Sequence, residues 1–286
     1  MAVLLKGAAV AAKLTEISAA GAAKLKELGV SPTLAIVRLG EREDDMAYER
    51  GAMKRCAQTG IEVKRCSLDI DTTQEQLLDI IEQLNRDDTI HGVLIMRPLP
   101  KHINDAVVTS ALAASKDVDG ITGGSMASLY SGTGKGFAPC TAQACVEILK
   151  HYGIPLEGKR AVVVGRSLVI GKPVSQLLLN ENMTVTTCHS RSQGLADICR
   201  EADVIIAAAG KAQMITAEFV KEGQTVIDVG IHDNGNGGLC GDVKTDEVSE
   251  KVYAVTPVPG GVGAVTTSVL ATHVVAAAEK LNSKEK

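Results

Sequence analysis

Short runs of β-branched and aliphatic residues alternate with longer stretches in which apolar positions recur every three or four residues. The runs are TLAIVRL (33–39), IEVKRCSL (61–68), GVLIM (92–96), RAVVVG (160–165), MTVTTC (183–188), DVIIAAAG (203–210) and TVIDVG (225–230). The periodic stretches predict helices at about 7–29, 44–59, 73–85, 104–114, 141–152, 171–181, 193–201 and 264–281. Runs that are apolar along their whole length suit strands buried on both faces, and their alternation with helices predicts βαβ units and largely parallel sheets. The expected fold class is α/β.

Glycine and serine accumulate in GITGGSMASLYSGTGKGFAPC (120–140), between two βα blocks, and mark a domain junction. Two domains follow, 1–138 and 139–263, with the last helix (264–286) crossing back to complete the first and close a cleft between them. A second glycine-rich patch, HDNGNGGLCGD (232–242), reads as a turn joining short strands. In the helix at 44–59, Met46, Met53, Cys56, Ala57 and Gly60 share one stripe, while Tyr48 projects well over 100° away with Ala52 and Arg55. Taken alone, Tyr48 is a surface tyrosine half covering a helix.

At 286 residues, 45% hydrophobic and 22% charged, the chain has the composition of a globular protein with room for two moderate domains. A net charge of −4, without a basic block or interleaved aromatics, argues against nucleic acid as a partner. The seven cysteines form no CxxC pair and read as reduced thiols of a cytoplasmic protein. The six histidines show no metal-ligand spacing. No apolar run reaches the length of a membrane span and no leader pattern opens the chain, so neither membrane nor secretion is expected.

RAVVVGRSLVIGKPVSQLLL (160–179) is a buried strand, a turn of small residues and a helix. Gly165 and Gly171 would let backbone N–H groups approach a pyrophosphate at the helix N-terminus, although a plain structural turn has the same composition. The next strand of an NAD-preferring unit usually ends in Asp or Glu, which holds the ribose 2′-OH. Here the strand ends in His189, Ser190 and Arg191. With no carboxylate to repel a 2′-phosphate, Arg166 with Ser190 or Arg191 favours NADP, NAD remaining possible.

Seven segments in order then resemble one family, the methylenetetrahydrofolate dehydrogenase/cyclohydrolases. They are KDVDG (116–120), PCT (139–141), VVGRSLVIGKP (163–173), TVTTCHSRS (184–192), VIDVGI (226–231), GDV (241–243) and TPVPGGVG (256–263). The resemblance implies two α/β domains with a cleft, a Rossmann-type C-terminal domain, a homodimer, a tetrahydrofolate substrate and NADP. It places Asp119 on the pterin ring and Tyr48 against the folate, both counted as catalytic. Pro259, Gly260 and Gly261 would border the substrate, and Arg166, Ser167, Ser190 and Ile231 the cofactor. Each has a plainer alternative: Asp119 a turn residue before glycine, 259–261 a helix-entry loop, the arginines solvated surface charges.

Two departures stand out. The family helix reads Tyr-x-x-x-Lys, that lysine being central to the hydrolytic step, but position 52 is alanine; Lys54 points elsewhere. The family glutamine of GxLVQLPLP is Met96, followed by Arg97. Hydride transfer needs alignment of two bound molecules, whereas opening a methenyl ring with water needs protons moved. The expected function is therefore NADP-dependent oxidation of methylenetetrahydrofolate with weak or lost cyclohydrolase activity, Arg55 and Arg97 being poor proton-shuttling substitutes for lysine. A fully bifunctional enzyme is the alternative within the family. A shikimate-type dehydrogenase would want a Lys/Asp pair in the N-terminal cleft, and none stands out near Tyr48; a non-catalytic NADP-binding protein would bind without turnover.

Overall fold

The computed structural model describes residues 1–235 and 237–283. The first half runs β1 (Val3–Leu4), α1 (Gly7–Glu27), β2 (Thr33–Leu39), α2 (Glu43–Thr59), β3 (Glu62–Leu68), α3 (Gln74–Arg86), β4 (Gly92–Ile95), α4 (Asp105–Ala111) and α5 (Gly123–Ser131). The second continues with α6 (Cys140–His151), β5 (Arg160–Val164), α7 (Gly171–Asn180), β6 (Thr184–Cys188), α8 (Leu195–Glu201), β7 (Val204–Ala207) and β8 (Thr225–Asp228). It closes with the hairpin β9 (His232–Asp233) and β10 (Leu239–Cys240), then α9 (Thr245–Val248), β11 (Ala254–Val255) and α10 (Thr266–Ser283). The chain divides into two compact units, one of Ala12–Cys140 with the segment from Thr267 onward, the other of Met1–Ala11 with Thr141–Thr266.

The first unit holds a parallel sheet in the order β3-β2-β4. The central β2 is buried from Leu34 to Leu39, apolar except for Arg38, while β3 at the edge carries exposed and half-buried positions. A capping box between Thr73 and Gln76 starts α3, whose Leu77, Ile81 and Leu84 pack with Val37 and Ile95. Beyond β4 the chain returns alongside it, with Val93 bridged to Asp117 in parallel.

The second unit is one parallel sheet in the order β1-β11-β8-β7-β5-β6. From β5 the chain goes first to β6 on one side and then to β7 on the other. The order reverses at β5, so the crevice beyond its carboxyl end is a topological switch point, where open α/β sheets take ligands.

Three expectations need correction. Residues 1–11 do not cluster with the first domain: β1 pairs with β11, and the Leu5 N–H donates to the Val255 carbonyl. A two-residue strand carries too little pattern to be read locally. The glycine-rich junction at 120–140 contains α5, started by the Thr122 hydroxyl accepting from the Ser125 N–H. The third concerns α2, whose buried stripe is Asp45, Glu49, Ala52, Cys56 and Thr59. It is rotated by about 90° from the Met46/Met53 stripe expected.

That rotation follows from Glu49. Its carboxylate is buried at 3% exposure and receives Arg38 Nε at 2.8 Å and Arg65 Nε at 2.7 Å. Burial pushes the Glu49 pKa up, but the bonds from Arg65 and Arg38 outweigh it and leave the group below its usual value. A hydrophobicity pattern counts Glu49 as outward, yet two arginines from β2 and β3 draw it in. Removing it strands the buried Arg38, so Glu49→Ala should cost about 3–5 kcal/mol of unfolding free energy. Arg65→Ala, at a half-exposed partner, should cost about 1 kcal/mol or less. Denaturant titration checks both. The contribution is full above the ordinary glutamate range and fades as pH falls through the depressed folded value.

Candidate active site

In the first unit the expected substrate residues gather at the carboxyl edge of the sheet. Tyr48 is half-buried in the second turn of α2, the helix that follows β2. It lies about 60° from the centre of the buried stripe, closer to the core than its charged neighbours suggested. Ala52, one turn on, is fully buried, and Lys54 is exposed on the opposite face. Met96 continues β4, its N–H donating to the Val37 carbonyl, and is 6% exposed.

The segment KDVDG explains itself residue by residue. Lys116 is buried and donates to the Leu84 and Asp87 carbonyls at the end of α3, where a cation complements the exposed carbonyls. Asp117 accepts from the Ile121 and Thr122 N–H groups at 3.0 and 2.7 Å, and so holds the turn. Gly120 has φ 67° and its backbone lies against residues 137–139, so no side chain fits there. The turn-forming role belongs to Asp117, which leaves Asp119 half-buried and in contact with Cys140, whose N–H it accepts at 3.4 Å. Confinement among protein atoms lifts the Asp119 pKa to about 6, against the pull of Cys140 and Arg97 and helped by the Asp117 charge.

Both arginines considered as stand-ins for lysine are engaged. Arg97 pairs bidentately with Asp105 in the first turn of α4, its Nε at 2.7 Å from Oδ1 and its Nη2 on Oδ2. Arg55 donates through Nη1 to Thr15 at 2.7 Å and to Gln58 at 3.0 Å, and burial lowers its pKa.

In the second unit the two glycines of the first turn serve close packing more than ligand approach. A Cβ on Gly165 (φ 139°) would sit 2.1 Å from the Ala208 carbonyl oxygen, and one on Gly171 2.3 Å from that of Gly165. The first-turn N–H groups of α7 are also taken: the Gly171 N–H by Ser167 Oγ, those of Lys172 and Val174 by the Ser167 and Ile170 carbonyls. At the start of α7 these N–H groups are therefore engaged within the loop itself. What projects is the loop 166–169, exposed, with the Ser167 hydroxyl hydrogen left to donate.

β5 and β6 are hydrogen-bonded neighbours and Gly165 N–H donates to the Cys188 carbonyl, so Arg166 emerges beside the turn of Ser190 and Arg191. All three side chains are exposed, and no carboxylate is hydrogen-bonded or ion-paired to them among the described residues. Ile231, 61% exposed, and Pro259, Gly260 and Gly261 line one cavity of about 310 Å³ beyond β8.

Two buried carboxylates hold the loops here, and one of them, Asp228, lines the cavity. Asp228 accepts the N–H groups of Gly230, Asp242 and Val243, and burial lifts its pKa to about 6 despite them. Asp242, fully buried, accepts those of Gly210 and Lys211 and pairs with His232 Nε2 at 2.7 Å. An acid inside an apolar run, as in VIDVG, was the available signal. No group of three or more His, Cys, Asp or Glu residues suited to a metal occurs among the described residues, and no helix there is long and apolar enough to cross a membrane.

Comparison with known proteins covers both units. The catalytic domain of tetrahydrofolate dehydrogenase/cyclohydrolase matches residues 5–119, and its NAD(P)-binding domain residues 139–282. The bifunctional protein FolD of Clostridioides difficile is 49% identical over 98% of each chain, and that of Carboxydothermus hydrogenoformans 49% over 99% of each. Among solved structures, the bifunctional FolD of Campylobacter jejuni superposes with a TM-score of 0.95 at 38% identity, over 98% of this chain and 99% of that one. The FolD of Trypanosoma brucei, complexed with NADP cofactor and inhibitor, gives 0.91 at 34%, over 98% of each. With both of its domains matched and relatives this similar along their whole length, the chain belongs to the tetrahydrofolate dehydrogenase/cyclohydrolase family.

Proposed function

We propose that the chain oxidises 5,10-methylenetetrahydrofolate to 5,10-methenyltetrahydrofolate with NADP, and that its conversion of the methenyl product to 10-formyltetrahydrofolate is weak. The first unit holds the folate, Asp119 accepting N–H bonds from the pterin edge and Tyr48 packing on the ligand. The second holds NADP, with Arg166 and Ser190 or Arg191 on the 2′-phosphate, Ser167 donating nearby, and Ile231 with residues 259–261 around the cavity. The cofactor fits these residues because the exposed cations stand at adjacent strand ends without a competing carboxylate. NADP supplies the hydride acceptor; the chain's own task is to bind, orient and exclude water. The same proposal takes the chain as a cytoplasmic homodimer.

The observation that carries the hydrolytic half is the chemistry around Tyr48. Ala52 and Met96 are buried and neither side chain carries a polar hydrogen, while Arg55 and Arg97 are tied to Thr15, Gln58 and Asp105. Lys54, the lysine nearest to Tyr48 in the sequence, is exposed on the opposite face of α2. The bifunctional names of the relatives favour the rival, full bifunctionality, and one assay separates the two. With methylenetetrahydrofolate and NADP supplied, methenyl product should accumulate well ahead of formyl product; matched formation of both would overturn the proposal.

Ala52→Lys with Met96→Gln should recover part of the hydrolytic rate, the full deficit being about 10²- to 10⁴-fold. Recovery should be incomplete, because position 52 lies on the buried stripe beside Glu49 and a lysine there is desolvated unless it bends toward Tyr48. Unchanged hydrolysis in a folded double variant counts against these two positions. For the cofactor, Arg166→Ala should weaken NADP by about 1.5–3 kcal/mol, the worth of a charge-assisted bond, and leave NAD nearly unaffected. Equal losses measured by titration of the two cofactors would place Arg166 away from the 2′-phosphate.

A further inference from the structure

Each residue around Asp119 is anchored to something else. Lys116 binds the end of α3, the Asp117 carboxylate holds the N–H groups of 121 and 122, and Gly120 is pressed on residues 137–139. The Val118 side chain fills the space that Gly92 leaves open. Its carbonyl, immediately before Asp119, points at α10, where His273 Nδ1 lies at 2.9 Å. A carbonyl only accepts, so Nδ1 carries the proton and the imidazole is fixed in one tautomer. Burial drives its pKa down to about 4, with the Val118 bond opposing and Lys280 assisting, so the ring donates as a neutral group.

The same histidine reaches the other side of the carboxylate. Cys140 Sγ lies 3.8 Å from Nδ1 and 3.4 Å from the Val118 carbonyl oxygen, and the Cys140 N–H is the one that Asp119 accepts. The ring packs on Phe137 at 4.9 Å between centroids, with Lys280 Nζ 4.4 Å over the far partner and donating to the Gly134 carbonyl. One face of α10 thus braces both segments between which the Asp119 carboxylate is held.

We propose that His273 is a positioning residue for substrate binding: its N–H fixes the Val118 carbonyl, and thereby the direction in which Asp119 presents its carboxylate to the pterin. This rests on the assignment of Asp119 to the pterin made above. His273 touches neither substrate nor cofactor in this scheme, so its loss acts through Asp119 alone. The charged and titratable groups facing Asp119 are Asp117 on its own turn, Arg97 beyond β4 and the Cys140 thiol; those facing His273 are Lys280, Asp117 and the same Cys140 thiol. Ionised Asp119 offers both oxygens to pterin N–H donors, whereas the protonated acid turns one of them into an O–H donor, so kcat/KM should fall as pH drops through about 6.

The test compares His273→Leu, which keeps apolar bulk against Phe137 without the donor, with His273→Asn, whose amide N–H can replace Nδ1–H. Dehydrogenase kinetics are run at saturating NADP between pH 5 and 8. The leucine variant should raise KM for methylenetetrahydrofolate about 2- to 10-fold, the equivalent of one net hydrogen bond, with kcat and NADP affinity close to wild type. Its acid limb should move to higher pH, because a slackened Cys140 N–H bond no longer favours the charged carboxylate. Asparagine should restore both. Equal impairment by both substitutions, or a lowered melting temperature without change in KM or pH profile, would reduce His273 to a packing residue. Should the leucine variant not fold, the asparagine variant still decides: wild-type KM and pH profile support the donor role, and a raised KM overturns it. Asp119→Ala separates the premise, since wild-type KM in that variant would remove Asp119 from the pterin and the inference with it.

Discussion

The buried carboxylate of Glu49 fixes the rotation of α2, and much of the first unit's chemistry follows from that angle. Two arginines on neighbouring strands draw Glu49 inward, which brings Ala52 onto the buried stripe, Tyr48 to its flank and Lys54 to the opposite side. A helix set by its methionines would have presented a different face. The energetic asymmetry of buried ion pairs makes the angle firm, since leaving Arg38 unpaired costs far more than any exposed pair returns. Tyr48 therefore meets the carboxyl edge of the sheet with an alanine, and no cation, one turn away.

The second unit uses the same economy with backbone in place of arginine. Asp228 and Asp242 sit in the interior and between them accept five main-chain N–H groups from the segments 210–211, 230 and 242–243. Loops at the carboxyl ends of parallel strands have no ladder of their own, so buried carboxylates supply their hydrogen-bond partners. The cavity beside Ile231 and residues 259–261 keeps its shape because these loops are tied from beneath. Gly165 and Gly171 do the corresponding work at the first turn by allowing backbone to pack on backbone.

Much of this was legible in the sequence, and what was not has physical reasons. Buried parallel strands such as VIIA and RAVVV announce themselves because both faces are apolar, and α3 because its capping box and periodic leucines agree. β1 escaped since its partner, β11, lies some 250 residues away and neither strand exceeds two residues. α5 escaped because glycines and serines lower helix propensity, while its N-cap and packing prevail. The α2 stripe was misread because a pattern of hydrophobicity assigns every charge to the surface. Among the candidate residues, Arg166 and Ser190 are legible from the absence of an acid, whereas the division of labour between Asp117 and Asp119 emerges only from which N–H groups each accepts.

Two reactions that share one bound folate differ in what they ask of the protein. Hydride transfer asks for placement, and of the positions assigned to placement here Arg166 and Ser190 are exposed, Tyr48 and Asp119 half-buried. Hydration of a methenyl cation asks for a group that moves protons, and the two positions expected to carry it, 52 and 96, are aliphatic and thioether. The most direct measurement supplies methenyltetrahydrofolate alone, without nicotinamide, and follows its hydrolysis at rising enzyme concentration. Hydrolysis should stay close to the spontaneous rate; a rate that climbs steeply in proportion to enzyme would mean that another group of the protein moves the protons.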